Sequence, residues 1–308
     1  MTKGSSVFER VDKFPNSAAG ERYDALVGLD RVKERLLKEA RVLLKPTLLE
    51  QWSKRHYGEV LPVVRAFRER IPLFVFAGDV GTGKTALAET FGHPLAKAER
   101  IAVTLMRLGL NARGTGRVGE MTSLISEAFG EVEDRVMGQK GASSPTSAVI
   151  LLVDEADALA QSREIAQMHH EDRAGVNALI RGIDRVSAEG LPVITIMCTN
   201  RRSAIDPAVR RRAAAIFEFE RPDEEQRTAI LGRAFAGTGL SDADLSSLVY
   251  LTGSSDGREY GYTYSDLTTR LVPAAVLDAF PNDPLRAERI VQLVAENPPT
   301  APFEEATR

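Results

Sequence analysis

Only one cysteine, Cys198, occurs in 308 residues, so no disulfide can close within the chain. No apolar run approaches the ~20 residues that cross a bilayer. The opening segment MTKGSSVFERVDK carries no apolar signal core. These absences read as a cytoplasmic protein with no membrane association. A basic surplus is missing too: 40 Lys and Arg stand against 43 Asp and Glu, a net charge of −3. That weighs against general nucleic-acid binding, which draws on clustered cations. The adjacent pair His169–His170 lacks the i,i+4 spacing of helix-borne metal ligands and reads as exposed loop. No internal repeat is present.

What remains is ordinary globular material, 43% hydrophobic and 27% charged. Residues 1–22 are polar with scattered apolar positions and read as a mobile arm. Val32, Leu36, Leu37, Ala40, Leu43 and Leu44 recur at helical spacing. One or two further helices fill 47–70, interrupted near Gly58 and Pro62. Short apolar runs at 72–78, 101–106, 148–155, 191–200 and 214–220 alternate with helical stretches. That alternation predicts an α/β fold with a doubly wound, mostly parallel sheet over residues 23–222. From Asp223 the pattern turns wholly helical, opening on an Asp223/Gln226 capping box. Residues 223–295 read as a small all-helical domain, and 296–308, Pro-rich, as a disordered tail.

The chemistry concentrates at two strand ends. GDVGTGKT (78–85) fits G-x-x-x-x-G-K-[ST] between a strand and a helix. Glycine lets backbone N–H groups wrap phosphates without a Cβ in the way. Candidate contacts to ATP are Asp79, Val80, Gly81, Thr82, Gly83, Lys84, Thr85 and Ala86, with Lys84 reaching the β- and γ-phosphates. VILLVDE ends a second buried strand in Asp154 and Glu155. Asp154 with the Thr85 hydroxyl suits Mg²⁺, and Glu155 suits the general base that activates water.

Strand, P-loop, acid pair and a later Thr-Asn strand end resemble the AAA+ superfamily. The resemblance implies a P-loop AAA+ domain followed by a small helical lid, over roughly residues 23–290. It implies that Asn200, after Thr199, senses the γ-phosphate. AIDPAVRRRAAAIFEF (204–219) resembles the arginine-finger segment, with Arg212 the first choice and Arg211 the second. A finger acting in trans implies self-association, in this family a hexameric ring. DALVGLD (24–30) resembles the stretch that cups adenine, with Val27 and Gly28 as contacts. GYTYSDL (261–267) resembles the second-sensor segment, with Ser265 where an arginine is common.

Arg117-Val118-Gly119 sits where protein-remodelling rings carry a central pore loop, without the usual aromatic. Together with HEDRAGVNALIRGID (170–184), this loop looks most like the pachytene-checkpoint branch. Those ATPases remodel HORMA-domain proteins, and bacterial members accompany cyclic-oligonucleotide synthases in anti-phage signalling. The resemblance therefore implies a HORMA-domain protein as partner. With only ~20 residues before the motor, the N-terminal adaptor-binding domain of eukaryotic members is not expected here. The competing reading is a nucleic-acid-associated AAA+ ATPase of loader or transposition-helper type.

Overall fold

The computed structural model describes residues 7–109, 120–157, 170–201, 205–255 and 258–303. Contacts divide the chain into two compact units. One comprises Met1–Asp24, Arg31–Ala77 and Thr85–Glu218, the other Ala25–Asp30, Gly78–Lys84 and Phe219–Arg308. Among the described residues no helix is long and apolar enough to cross a membrane.

The first unit is built on a sheet of six strands: β1 (Phe8–Phe14), β2 (Leu73–Gly78), β3 (Ala102–Leu108), β4 (Ser147–Val153), β5 (Val193–Thr199) and β6 (Ala215–Phe219). Their order is β1-β3-β4-β5-β2-β6. β3, β4, β5 and β2 pair in parallel. β2 and β5 are buried at every position and β4 at all but its first. Strands covered on both faces need continuous apolar runs, which is why these three stood out in the sequence. One face packs Val75, Met106, Leu151 and Val153 against Ile125, Phe129 and Val132 of the helix Glu120–Val136. Leu179 and Ile183 of the helix His170–Ala188 join the same cluster. Each such side chain, fully buried, contributes about 1.5–3 kcal/mol. Phe74 and Phe76 point to the other face, where Phe217 meets both rings edge-on at 5.7 and 5.6 Å.

The expectation of a mobile arm fails for residues 8–22. Phe8–Phe14 is an edge strand, antiparallel to β3, and the helix Ser17–Ala25 follows it. Its pattern is hard to read because a bulge shifts the register between Phe8 and Arg10. Phe8 joins the cluster with Met106 and Leu108. Phe14 packs instead against the helix Gly92–Glu99, where a Cβ at Gly92 would come within 2.2 Å of its ring. The extra residue breaks the period-two alternation, and the positions between the two anchors are charged save Val11, as edge strands allow. The helix that follows the glycine loop divides into Lys84–Thr90 and Gly92–Glu99.

The second unit is helical, with a core of Ile230, Leu231, Leu248, Tyr262, Leu267, Ile290 and Leu293. Its first helix, Glu224–Ala234, opens on the Asp223/Gln226 capping box. The disordered-tail expectation fails for residues 297–303. Asp266, 1% exposed, accepts from the Thr300 amide at 3.0 Å and the Thr300 hydroxyl at 2.6 Å. The Tyr262 hydroxyl, meanwhile, reaches the Asn297 carbonyl at 2.6 Å. Proline-rich composition removed helix and strand from this segment without removing its anchors.

Candidate nucleotide site

In the second unit the loop Gly78–Lys84 closes on itself. Lys84 is 6% exposed, and its ammonium donates to the carbonyls of Gly78 at 3.0 Å and Asp79 at 2.6 Å. The Thr82 hydroxyl donates to the same Asp79 carbonyl at 2.7 Å. Gly78 cannot be replaced: a Cβ there would lie 2.0 Å from the Phe219 carbonyl oxygen, a backbone atom with no room to retreat. The Ser265 amide donates to the Gly81 carbonyl at 3.0 Å. The serine at the second-sensor position thus meets the loop through its main chain.

Asp79 occupies a motif position, but its carboxylate is committed elsewhere. Oδ2 accepts from Arg221 Nε at 2.9 Å and Nη2 at 2.5 Å. Oδ1 accepts from the amides of Val80 at 2.8 Å and Phe303 at 3.1 Å. Arg221 also donates to the carbonyls of Gly261 and Thr300. Nothing in the sequence reading marked Arg221. Gly28 accepts at its carbonyl from the Gln226 side chain at 2.6 Å, so the capping-box glutamine also fixes the stretch proposed to cup adenine. Val27 packs against the helical core.

In the first unit, Thr85 and the strand ends bring the acidic residues together. The Thr85 hydroxyl donates to Asp154 Oδ1 at 3.0 Å. Two hard oxygen donors side by side, one from a carboxylate, fit the preference of Mg²⁺. The Glu155 amide also donates to Oδ1, at 3.0 Å. Asp154 is buried at 8% exposure, whereas Glu155 is exposed. The difference arises at Glu155, whose φ of 50° puts a non-glycine residue in the left-handed region and turns the chain sharply as β4 ends. Such backbone costs on the order of 1–3 kcal/mol and collects at functional sites.

Asn200 follows β5, with its amide donating to Asp157 Oδ1 at 2.8 Å and its side chain to Oδ2 at 3.3 Å. Thr199 donates to Asp157 at 2.6 Å. Asp157, three residues past Asp154, therefore orients the Thr-Asn pair, and the sequence reading missed it. A third unmarked residue is Arg107 of β3, whose Nη2 lies 3.0 Å from Asp154 Oδ2.

The helix Pro207–Arg212 is capped by Asp206, which accepts from the Ala208 amide. It separates the two finger candidates. Arg212 grips Asp184 with two bonds of 2.8 Å, which raise its pKa above the ordinary arginine value. Arg211 is exposed, and its side chain makes no hydrogen bond or ion pair with the described residues. Arg117, Val118 and Gly119 lie outside the described residues, as does His169, whereas His170, expected in a loop, is the first residue of the helix His170–Ala188.

A mostly parallel sheet whose strands end in a glycine loop and an acid pair is the fold of a P-loop ATPase. Residues 74–221 match the model of the ATPase family associated with various cellular activities (AAA). A CD-NTase-associated protein 6 of Escherichia coli (strain MS 115-1) is 48% identical over 300 residues, 96% of each chain. The structure of the E. coli MS115-1 HORMA:CdnC:Trip13 complex contains a chain that matches with a TM-score of 0.91 at 47% identity, covering 98% of this chain and 100% of that one. The structure of Rhizobiales Trip13 matches at 0.77 and 43% identity, over 96% of this chain and 100% of that one. This chain therefore belongs to the AAA ATPase family, in the branch that holds CD-NTase-associated protein 6 and the bacterial Trip13 proteins.

Proposed function

We propose that the chain hydrolyses ATP as a ring-forming remodeller of a HORMA-domain protein, and that it regulates a bacterial cyclic-oligonucleotide anti-phage system. The observation that carries the partner is the relative at 47% identity, which stands in a complex with HORMA and CdnC. The relation runs along nearly the whole chain, so it includes the segments that would face a substrate.

The residues divide the work. Loop amides from Asp79 to Lys84 receive the phosphates, with Lys84 supplying charge and Ala86 continuing the first turn beyond them. Val27 and Gly28 border the base. Thr85 and Asp154 hold Mg²⁺, which when bound neutralises charge on the β- and γ-phosphates. Glu155, exposed and unencumbered by its strand, accepts the proton of the attacking water. Asn200, braced by Asp157, orients toward the γ-phosphate. The arginine that reaches the neighbouring subunit is Arg211. Arg212 would first have to leave Asp184. Arg117, Val118 and Gly119 grip the substrate chain.

The test is a trap. Glu155→Gln protein, loaded with ATP, should bind nucleotide, turn over at least ~10²-fold more slowly, and retain a HORMA-domain protein in a pulldown. Retention of DNA in its place would favour the nucleic-acid-associated class and end the remodeller reading. Hydrolysis at the parent rate would remove Glu155 from the base role.

A further inference from the structure

Arg107 has no place in the reading above, yet it makes the densest set of charged contacts around Asp154. It stands on β3 opposite Leu152 of β4, on the sheet face turned away from Met106 and Leu108. Its Nη2 lies 3.0 Å from Asp154 Oδ2 and its Nη1 2.6 Å from Glu89 Oε1. Its Nε lies 3.6 Å from Glu9. Glu89 belongs to the helix Lys84–Thr90, which begins with the two motif residues Lys84 and Thr85. Three carboxylates from three elements thus surround one guanidinium. Burial alone would push the Arg107 pKa down, but Asp154 and Glu89 hold it above the ordinary value.

The surroundings explain why the arginine stays put. Arg10 of β1 is the register partner of Arg107. Like charges directly opposite on an antiparallel pair repel. Glu89 stands between them, 3.4 Å from Arg10 Nη1 as well as 2.6 Å from Arg107. Arg10 in turn is held by Asp12 at 2.6 Å. The charges alternate from β1 through Glu89 and Arg107 to Asp154.

The consequence lies at Asp154. Its two oxygens are divided, with Oδ1 accepting from Thr85 and the Glu155 amide and Oδ2 meeting Arg107. A carboxylate free to rotate about its Cβ–Cγ bond presents either oxygen. A cation fixed on Oδ2 leaves Oδ1 as the one turned to the Thr85 hydroxyl. We propose that Arg107 is a positioning residue for magnesium, clamping Asp154 so that Oδ1 and Thr85 stay aligned. The edge strand β1 supports this clamp. The inference rests on the reading of Asp154 as a magnesium ligand. Groups that orient a ligand from behind typically contribute 10–100-fold to metal affinity.

A fluorescent, non-hydrolysable ATP analogue titrated with Mg²⁺, and separately bound in EDTA, tests this. Arg107→Met should raise the Mg²⁺ concentration for half-maximal effect about tenfold and leave affinity in EDTA unchanged. Arg107→Lys should fall between the parent and Arg107→Met. An unchanged half-point overturns the proposal. So does a lowered one, which would make Arg107 a competitor of the ion, or an equal loss with and without Mg²⁺, which would make it structural. If Arg107→Met does not fold, Glu89→Gln must move the half-point in the same direction by a smaller amount, and no movement overturns the proposal. Asp154→Asn separates the two levels. If it too leaves the half-point in place, the magnesium reading itself fails. If it moves the half-point and Arg107→Met does not, only the clamp fails.

Discussion

Two aspartates end two neighbouring stories in this chain. Asp79 follows β2 and Asp154 follows β4, and both lie inside nucleotide motifs. Asp79 has every oxygen occupied by its own unit: Arg221 on one side, the Val80 and Phe303 amides on the other. Asp154 accepts from Thr85 and an adjacent amide, and a single arginine holds its second oxygen. The first carboxylate is a structural fixture whose backbone alone can meet a phosphate. The second keeps a side-chain oxygen next to a hydroxyl, which is what a hard cation requires. A motif consensus fixes the backbone path, and the side chain at a variable position takes its role from its neighbours.

Arginines repeat the contrast, and there the expected effect is largest. Arg211→Ala should lower ring ATPase activity by about 10³-fold, the lower range for loss of an arginine finger, with an unchanged melting temperature. Arg212→Ala should instead remove a half-exposed pair worth at most about 1 kcal/mol, seen as a drop of ~2–4 °C. Steady-state turnover beside a thermal melt distinguishes them. If Arg212→Ala abolishes turnover at an unchanged melting temperature, the Asp184 pair opens on assembly and the roles exchange. Mixing Arg211→Ala with Lys84→Ala subunits adds a check, since action in trans requires partial recovery of activity.

The two aspartates can be set against each other directly. Asp154→Asn should cost turnover on the order of 10²-fold. Asp79→Asn should keep turnover within a few-fold and destabilise by about 1.5–3 kcal/mol, the range for hydrogen bonds to a charged group. Denaturant unfolding followed alongside ATPase rate measures both. Equal losses of turnover would dissolve the distinction.

Much of this was legible in the sequence, for physical reasons that differ by element. β2, β4 and β5 are buried on both faces and announced themselves as apolar runs. The P-loop is tied to spacing because only glycine tolerates the approach of Phe219 to residue 78. The Asp223/Gln226 cap is a local four-residue pattern and formed as expected. β1 was hidden because its two anchors, Phe8 and Phe14, are separated by a bulge and mainly by charged residues. Arg107, Asp157 and Arg221 were hidden because their partners are distant in sequence, at Asp154, Asn200 and Asp79. Arg107 did leave a trace, a charge placed where a buried strand was still running. The strand expected at 101–106 ended one residue before it.

The smallest expected effect on turnover lies in the helical unit, at Asp266. Burial would raise its pKa, but bonds from Thr300 and Thr263 outweigh burial and hold it below the ordinary value of 3.8. A carboxylate with a lowered folded-state pKa contributes stability that is fully present above its unfolded value. That stability is lost as pH falls through the folded one. At neutral pH the contribution is therefore complete, and it fades only below about pH 4. Asp266→Asn should leave turnover unchanged, remove about 1.5–3 kcal/mol of stability and flatten that acid limb. Hydrogen exchange resolves where the loss falls. The Thr300 amide, which donates to Asp266 at 3.0 Å, should lose protection first. The Phe303 amide on Asp79 should follow if 297–303 acts as one strap. Protection retained at Phe303 with loss at Thr300 would mean that Asp79 and Arg221 hold the segment independently. Asp79 would then anchor two separate contacts, and the contrast with Asp154 would sharpen further.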